Sequence, residues 1–450
     1  MNEKTPDEAN AGGLTTTTPA RRLMRLAGMS ASIASTIARN KVKSWVVGQD
    51  NQETERQSLY AEIGKRLVGT LGEMKGAVMK VGQIASQFKD LFPKEIADAL
   101  ATLQKESQPL PFAVIRSQMR QELQRPLEQC FLYIDPTPFA SASIGQVHRA
   151  RTLTGEEVVI KVQYPGVDAC VDSDLKHLRM ALKMVGLLNI EKQVLDSIFQ
   201  EIRRSLLHEL DYVLEARNAE TMRHFHAHDP FIVIPRVLPE LSTRRLLTMS
   251  YEPGDSLQQL PHSGYDQRLV NQLGHRLFAA IGQQIYHLHA VHCDPHPGNF
   301  AFRPDGKIVI YDFGCIKTIE PEVVDLLRRL SLASLGGAYT QMDTLLIQLG
   351  VRNTDRHPTL PDAFYNAWSR LLMQGFSASP FNFATATLHQ EVMQLARQHL
   401  DYWNAFHPSP KTMLVQRAVA GHYWTMKQLG VIAAFAPDLE ALLHRPEDQM

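Results

Sequence analysis

Hydrophobic residues recur at helical intervals along the first quarter of the chain. The pattern covers residues 20–47, 55–106 and 111–125, and it predicts helical structure in each segment. Segment 20–47 is also rich in arginine and lysine. Its helix would either lie on an anionic membrane surface or pack against the body of the protein. Residues 1–19 are polar and threonine-rich, which predicts a disordered tail.

Near residue 131 the pattern changes to short runs of β-branched and aromatic residues. Residues 131–134 and 158–162 are typical of strands. A small-residue stretch at 140–151 and a Thr154-Gly155 turn lie between these runs. We therefore expect a strand, a loop, a strand, a glycine turn and a strand in succession.

Helices and strands are both expected along the rest of the chain. The helices are predicted at about 172–188, 191–222 and 270–290, the strands at 231–234, 245–251 and 307–311, and mostly helix at 320–450. Trp403 and Trp424 are expected in the core of that last region. Since no run of about 20 apolar residues occurs, the sequence predicts no membrane-spanning helix.

Charge and cysteine content narrow the class of protein. The chain has 47 Lys plus Arg and 47 Asp plus Glu, and this balance argues against a dedicated nucleic-acid binder. The four cysteines form no C-x-x-C pair, which favours reduced thiols over a zinc ribbon or a disulfide framework. We expect a cytoplasmic protein, with peripheral contact at the inner membrane face as the further option.

Lys161 follows the apolar run Val158-Val159-Ile160 and is a candidate phosphate ligand. A lysine in a buried strand costs free energy unless it meets a negative group such as a nucleotide phosphate. A solvent-facing lysine on an edge strand is the alternative. Glu215 could pair with Lys161 and hold it toward the phosphates. Asp211, four residues before Glu215, is expected on the same helix face, whereas Glu209 is not; a solvated acidic face is the alternative.

Residues 292–299 have the spacing H-x-D-x-x-x-x-N. Asp294 could accept a proton from a substrate hydroxyl or orient a water molecule, and Asn299 could ligate Mg²⁺. Asp312 ends the predicted strand 307–311 and is followed by Phe-Gly, a signature of magnesium ligation in kinases. The strand lysine, the acidic helix, the H-x-D loop and D-F-G occur in kinase order, so the sequence indicates Mg-ATP binding.

At these residues the chain resembles the UbiB family of atypical kinases, also called the AarF family, over roughly residues 70–320. Lys80-Val81-Gly82-Gln83 is similar to the family's K-x-G-Q motif, and Glu209-Leu210-Asp211 is similar to its E-x-D motif. Ala140-Ser141-Ala142-Ser143 resembles the alanine-rich loop that replaces the glycine-rich loop of kinases. It has serine at position 141, where the family often has alanine.

The resemblance implies an α+β, two-lobe protein-kinase-like fold. The small lobe would have an antiparallel sheet, the large lobe would be helical, and a helical extension would precede both. The implied domains are a tail at 1–19, an extension with the K-x-G-Q motif at 20–130, an N-lobe at 131–255 and a C-lobe with a helical C-terminal region at 256–450.

The resemblance also implies roles for individual residues. Lys80, with Gln83 beside it, would cover the cleft and meet Glu209 or Asp211, which leaves Glu215 for Lys161. The candidate nucleotide-binding residues, besides Lys161, are Ala140, Ser141, Ala142, Ser143, Met249 and Tyr251.

The implied reaction is Mg²⁺-dependent cleavage of ATP in support of ubiquinone or isoprenoid-lipid metabolism. A phosphotransferase acting on a small molecule or protein, and a catalytically silent nucleotide-binding module, are the alternatives. The expected partners are the nucleotide, a lipid or quinone-precursor ligand, and a membrane surface contacted through residues 20–47. No nucleic acid is expected, and the oligomeric state is open.

Overall fold

A computed structural model of the protein describes residues 19–44, 52–72, 95, 98, 99, 109–141, 144–184, 192–355 and 357–444. The chain divides into two compact units. The first unit runs up to Ala216 and includes Val237–Tyr251, and the second contains Arg217–Arg236 and the chain from Glu252 onward. Among the described residues, no helix is both long and apolar enough to cross a membrane.

The described elements alternate between helices and short strands. The helices are α1 (Pro19–Ser44), α2 (Gln52–Gly72), α3 (Phe112–Leu123), α4 (Val167–Met184), α5 (Lys192–Glu209), α6 (Tyr212–Phe225), α7 (Gln267–Tyr286), α8 (Pro321–Leu335), α9 (Tyr339–Gln348), α10 (Asp362–Leu372), α11 (Leu388–Gln398), α12 (Met413–Leu429) and α13 (Ala436–Leu443). The strands are β1 (Phe131–Ile134), β2 (Ala140–Ser141), β3 (Gly145–Thr152), β4 (Glu157–Gln163), β5 (Ile232–Val233), β6 (Leu246–Ser250), β7 (Ala290–His292), β8 (Phe300–Phe302), β9 (Ile308–Ile310), β10 (Ile316–Thr318), β11 (Phe381–Asn382) and β12 (Ile432–Ala433).

The first unit contains an antiparallel sheet of order β1-β3-β4-β6, with β2 paired to β3. The expected hairpin is confirmed, and Gly155 at its turn has φ +86, a conformation that costs glycine little. On β4, Val158, Ile160 and Val162 are fully buried in the core of this unit. Lys161 therefore lies on the other face of the strand, because successive side chains alternate.

Helix α1 contributes to the same core through Met29 and Ile33, which are 4% and 0% exposed. Its apolar face therefore packs on the body of the unit, which was one of the two interpretations of segment 20–47. The opposite face carries the exposed Met24 and Arg39.

The single helix expected over residues 191–222 is wrong, because the chain breaks between α5 and α6. The carbonyl of Leu210 accepts a hydrogen bond of 2.9 Å from Gln163 Nε2 on the sheet. Asp211 Oδ1 accepts one of 3.0 Å from the backbone N–H of Leu214. Asp211 is thus the N-cap of α6, so it does not share a helix face with Glu215.

The second unit is mainly helical, with short strand pairs. β5 pairs in parallel with β9, β9 pairs antiparallel with β8, and β10 pairs antiparallel with β7. Helix α7 starts after its N-cap Asp266 and ends at Tyr286, earlier than expected, because Ala290 already belongs to β7.

The expected core positions of Trp403 and Trp424 are wrong, since they are 66% and 42% exposed. An aromatic residue shows by its type that it favours burial, but the packing of neighbouring helices decides whether it is covered.

Candidate nucleotide-binding and catalytic residues

Lys161 and Glu215 form a buried ion pair in the first unit. Lys161 Nζ lies 2.8 Å from Glu215 Oε1 and 2.9 Å from Oε2, so both carboxylate oxygens accept from it. The two side chains are 12% and 2% exposed. The ring of Tyr212 lies 5.1 Å from Nζ and adds a cation–π contact. The lysine is therefore held at a defined position on the sheet.

The break between α5 and α6 places the acid of this pair. The bond from Gln163 to the Leu210 carbonyl ties the break to β4, two residues beyond Lys161. Asp211 then starts α6, and its own carbonyl accepts from the Glu215 N–H at 3.0 Å. Glu215 is thus in the first turn of α6, where a negative charge is favoured by the helix dipole.

The two E-x-D acids and the described residues of the alanine-rich loop lie at different places in the first unit. Glu209 ends α5 and Asp211 caps α6, so the two E-x-D acids flank the break. Ala140 and Ser141 are exposed on β2, where the ladder pairs them with Val147 and Gln146. This pairing holds the start of the loop more firmly than a glycine-rich loop would be held.

The two remaining nucleotide-binding candidates, Met249 and Tyr251, differ in their surroundings. Met249 is 6% exposed on β6 opposite Val159, and the Tyr251 ring follows that strand and has Arg149 at 4.1 Å from its centroid. Lys80, Gln83, Ala142 and Ser143 lie outside the described residues.

In the second unit, Asp294 and Asn299 share one loop. Asn299 Nδ2 donates to Asp294 Oδ2 at 3.0 Å and to the Asp294 carbonyl at 3.2 Å. The Gly298 N–H donates to His296 Nδ1 at 3.0 Å, which caps the short turn Pro297–Asn299. Since Asn299 donates through its nitrogen, its amide oxygen is the atom it can offer to a cation.

Asp312 is held close to this loop by the β7–β10 ladder. Cys293 N–H donates to the Cys315 carbonyl at 2.8 Å, so the residue before Asp294 is paired with the residue that follows the D-F-G turn. The His292 ring donates through Nε2 to the Asp312 carbonyl. The Gly314 N–H donates to Asp312 Oδ1 at 2.9 Å, and Asn218 Nδ2 donates to the Phe313 carbonyl at 2.9 Å. Each bond restricts the D-F-G turn.

The donor set fits magnesium better than a metal that is held by protein alone. Among the described residues, no group of three or more His, Cys, Asp or Glu side chains is arranged to hold a metal. Asp312 and Asn299 offer one carboxylate and one amide oxygen. Mg²⁺ is commonly bound by one or two carboxylates, with phosphate oxygens and water at the remaining positions. Asp312 and Asn299 could therefore hold Mg²⁺ with phosphate oxygens and water at the remaining positions.

Helix α12 packs against the loop that contains Asp294 and Asn299, and the sequence analysis did not predict this contact. A Cβ on Gly421 would overlap the ring of Pro295, so only glycine lets the helix approach the loop this closely. Arg417 on the same helix lies 3.9 Å from Asp294 Oδ1. An isolated glycine in a helical pattern is the one signal that could have indicated this contact.

The same helix carries a buried histidine next to the loop. The His422 ring contacts Phe300 at 5.4 Å, and burial lowers the pKa of His422 to about 3. Hydrogen bonding with Cys315 and burial raise the pKa of Cys293 far above its usual range. Both groups are therefore neutral at pH 7, so the charge that α12 presents near Asp294 comes from Arg417 and not from His422.

Comparison with known proteins agrees with this arrangement. The model of the ABC1 atypical kinase-like domain matches residues 102–345. The chain belongs to the UbiB/AarF family of atypical kinases. This family membership accounts for the kinase order of the motifs in the two units.

Two relatives illustrate the range of the family. The chain is 34% identical over 323 residues to the chloroplastic Protein ACTIVITY OF BC1 COMPLEX KINASE 8 of Arabidopsis thaliana, covering 70% of this chain and 41% of that protein. It is 28% identical over 349 residues to the mitochondrial atypical kinase COQ8 of Saccharomyces cerevisiae, covering 76% of this chain and 68% of that protein. The chain spans about half the length of several curated relatives that it matches.

Among solved structures, the chain is similar to Rv3197 of Mycobacterium tuberculosis, which was solved in complex with erythromycin. The TM-score is 0.62 at 24% identity, and the match covers 87% of this chain and 98% of that chain. At this identity the likeness shows the fold alone, and the expected α+β kinase-like fold is confirmed.

Proposed function

We propose that this UbiB/AarF protein binds Mg-ATP and hydrolyses it. Lys161 would hold phosphate oxygens, Asp312 and Asn299 would ligate Mg²⁺, and Asp294 would position the attacking water. ATP supplies the phosphoryl group that is transferred. The bidentate Lys161–Glu215 pair carries this proposal. Both charged side chains are nearly buried, and a strand lysine that only faced solvent would need neither this burial nor a paired acid.

The catalytic loop supports an active enzyme over a silent binding module. Asp294, Asn299 and Asp312 are all present, and hydrogen bonds of 2.9–3.2 Å orient all three side chains. A module that only binds nucleotide has no need of an oriented Asp294. We therefore favour an active enzyme over a catalytically silent nucleotide-binding module.

The choice of water as the acceptor, and a role in ubiquinone or isoprenoid-lipid metabolism, rest on the family resemblance. A phosphotransferase that acts on a small molecule or protein is the second candidate, since the same loop serves that reaction. Ala140, Ser141, Met249 and Tyr251 are proposed as nucleotide contacts. If the protein meets a membrane through residues 20–47, it would do so with the exposed face of α1.

The deciding experiment measures phosphate release from Mg-ATP by the full chain and by Asp312→Asn. We expect turnover in the wild type and a loss of at least about 100-fold in the variant, since one ligand of the charge-neutralising metal is weakened. Asp305→Asn is the matched control. It makes the same change on the β8–β9 turn, where the side chain is 52% exposed, and it should leave turnover unchanged.

Three additional measurements test the alternatives. Radiolabelled ATP and candidate acceptors would reveal a phosphorylated product if the protein is a phosphotransferase. Magnesium-dependent binding of a fluorescent ATP analogue, unchanged in Asp312→Asn, would contradict the assignment of Asp312 to the metal. Stimulation of turnover by anionic liposomes would support the membrane contact.

A further inference from the structure

The C-terminal helices of the second unit form a half-open cavity that the proposed nucleotide site does not use. It has a volume of about 440 Å³ and lies among α8, α9, α10, α11 and the turn at Leu400–Ala405. Its walls are aromatic and aliphatic, with Phe364, Trp368, Leu346 and Met342 among them. No residue of the candidate catalytic loop lines it.

The serine hydroxyls and the Tyr365 hydroxyl in the wall are already used by the protein. Ser334 Oγ and Ser369 Oγ are 2.5 Å apart, and Ser369 Oγ also donates to the Ser334 carbonyl at 3.1 Å. Ser331 Oγ donates to the Leu327 carbonyl at 3.1 Å, and Tyr365 OH donates to Asp343. These groups stabilise the helices and leave little hydrogen-bonding capacity for an occupant.

The rest of the wall is equally poor in polar groups. Among the lining residues there is no Asp, Glu, Lys or Arg. Trp368 Nε1 and His399 Nδ1 are buried from solvent, and neither has a hydrogen-bond partner in the part of the chain that the structure describes. These two nitrogens could each bond to a polar group, but the rest of the wall offers water few of the two to four polar partners that a bound water needs.

The aromatic side chains in the cavity wall are well packed against one another. Phe364 stacks on Phe406 with a centroid distance of 5.4 Å and an interplanar angle of 20°, and it contacts Tyr402 edge-on at 5.5 Å. At the mouth, Trp403 and Leu372 line the cavity and are 66% and 51% exposed. An ordered apolar wall with an apolar entrance is typical of a preformed ligand site.

We propose that this cavity binds one hydrocarbon chain of a lipid, with any polar end left at the mouth beside Trp403. The volume corresponds to about 15 water-sized groups, which is comparable to a medium-length chain. Each methylene that enters should raise affinity roughly fourfold until the cavity is full. A charged group cannot be accommodated inside, because the wall has no counter-charge.

The test uses cis-parinaric acid, whose fluorescence rises in apolar surroundings, on the full chain without nucleotide. We expect saturable binding of one molecule per chain, and displacement by 1-alkanols that improves about fourfold per carbon and levels off near about 15 carbons. Adsorption without saturation, or displacement that is independent of chain length, would overturn the proposal.

Substitutions in the cavity wall test whether the probe binds in this cavity. Ala396→Trp and Leu346→Trp each add an indole to a different wall helix, and each should weaken binding at least tenfold. Gln394→Trp adds the same group to an exposed position of α11 and should bind as the wild type does. Equal binding by all three folded variants, with unchanged thermal melts, would contradict the assignment.

Two further binding measurements identify the type of lipid that supplies the hydrocarbon chain and separate this proposal from ATP binding. Linear isoprenoid alcohols are compared with saturated 1-alkanols of equal carbon number. The tighter series shows whether the occupant is an isoprenoid or an acyl lipid, and either order supports the site. Asp312→Asn should keep full probe binding, so failure of the Mg-ATP proposal would leave this one standing.

Discussion

Removing one partner of the Lys161–Glu215 pair should cost far more stability than removing both. With Glu215→Leu, the Lys161 ammonium loses two hydrogen bonds of 2.8 and 2.9 Å at a site where its side chain is 12% exposed. Breaking a fully buried pair costs roughly 3–5 kcal/mol. Since Lys161 keeps some solvent and the face of Tyr212, we expect about 3 kcal/mol for either single variant.

The double variant Lys161→Met/Glu215→Leu should recover most of this loss. It leaves no buried charge, and such replacements are often neutral within about 1 kcal/mol. The two single losses then exceed the double loss by about 5 kcal/mol, which is the coupling free energy. Urea unfolding followed by far-ultraviolet circular dichroism at pH 7 measures all four proteins.

This reasoning is refuted if the single losses are below about 1 kcal/mol, or if they add up to the loss of the double variant. The double variant also separates stability from function. It should be folded yet bind Mg-ATP at least about tenfold more weakly, because no ammonium is left to meet the phosphates.

Two predictions concern α12. Gly421→Ala favours the helix by about 1 kcal/mol but forces Pro295 to move. We therefore expect turnover to fall about tenfold with little change in melting temperature. The control is Gly69→Ala, which makes the same change on an open face of α2. His422 has a folded pKa of about 3, below its unfolded value of about 6.5, so its contribution to stability is present above pH 6.5 and is lost as pH falls. The loss at pH 5 is about 2 kcal/mol, and His422→Phe should remove that part of the pH dependence in urea titrations from pH 7 to 5; identical slopes would contradict it.

Local patterns predicted the candidate site residues because the motifs that contain them depend on residue type and short spacing. The β3–β4 hairpin followed from two β-branched runs and a glycine turn, and the structure pairs them as expected. Asp294 with Asn299, and Asp312 with Phe-Gly, are set by spacings of five residues or fewer, so one loop or one turn contains each group. Such features need no knowledge of distant packing.

Other features could not be predicted locally. The helix break at Leu210–Asp211 depends on a hydrogen bond from Gln163, 47 residues away along the chain. Asp211 is a good N-cap residue, but the apolar periodicity continues across it. The hydrogen bond from Gln163 on the sheet to the Leu210 carbonyl accompanies the end of the helix there. Trp403 was expected in the core on residue type alone, and the helices around it leave it at a cavity mouth.

The sequence by itself determined the class of protein, the order of its motifs and the residue types available to hold phosphate and magnesium. These are properties of neighbouring residues and of chain order. The sequence also offered Glu215 as the acid for Lys161, and the two side chains pair in the structure. Only the tertiary structure decided that Gly421 and Arg417 lie against the loop of Asp294, and that the C-terminal helices form an apolar cavity. These arrangements join residues far apart in the chain, and their energies come from burial and close packing, which no local pattern contains.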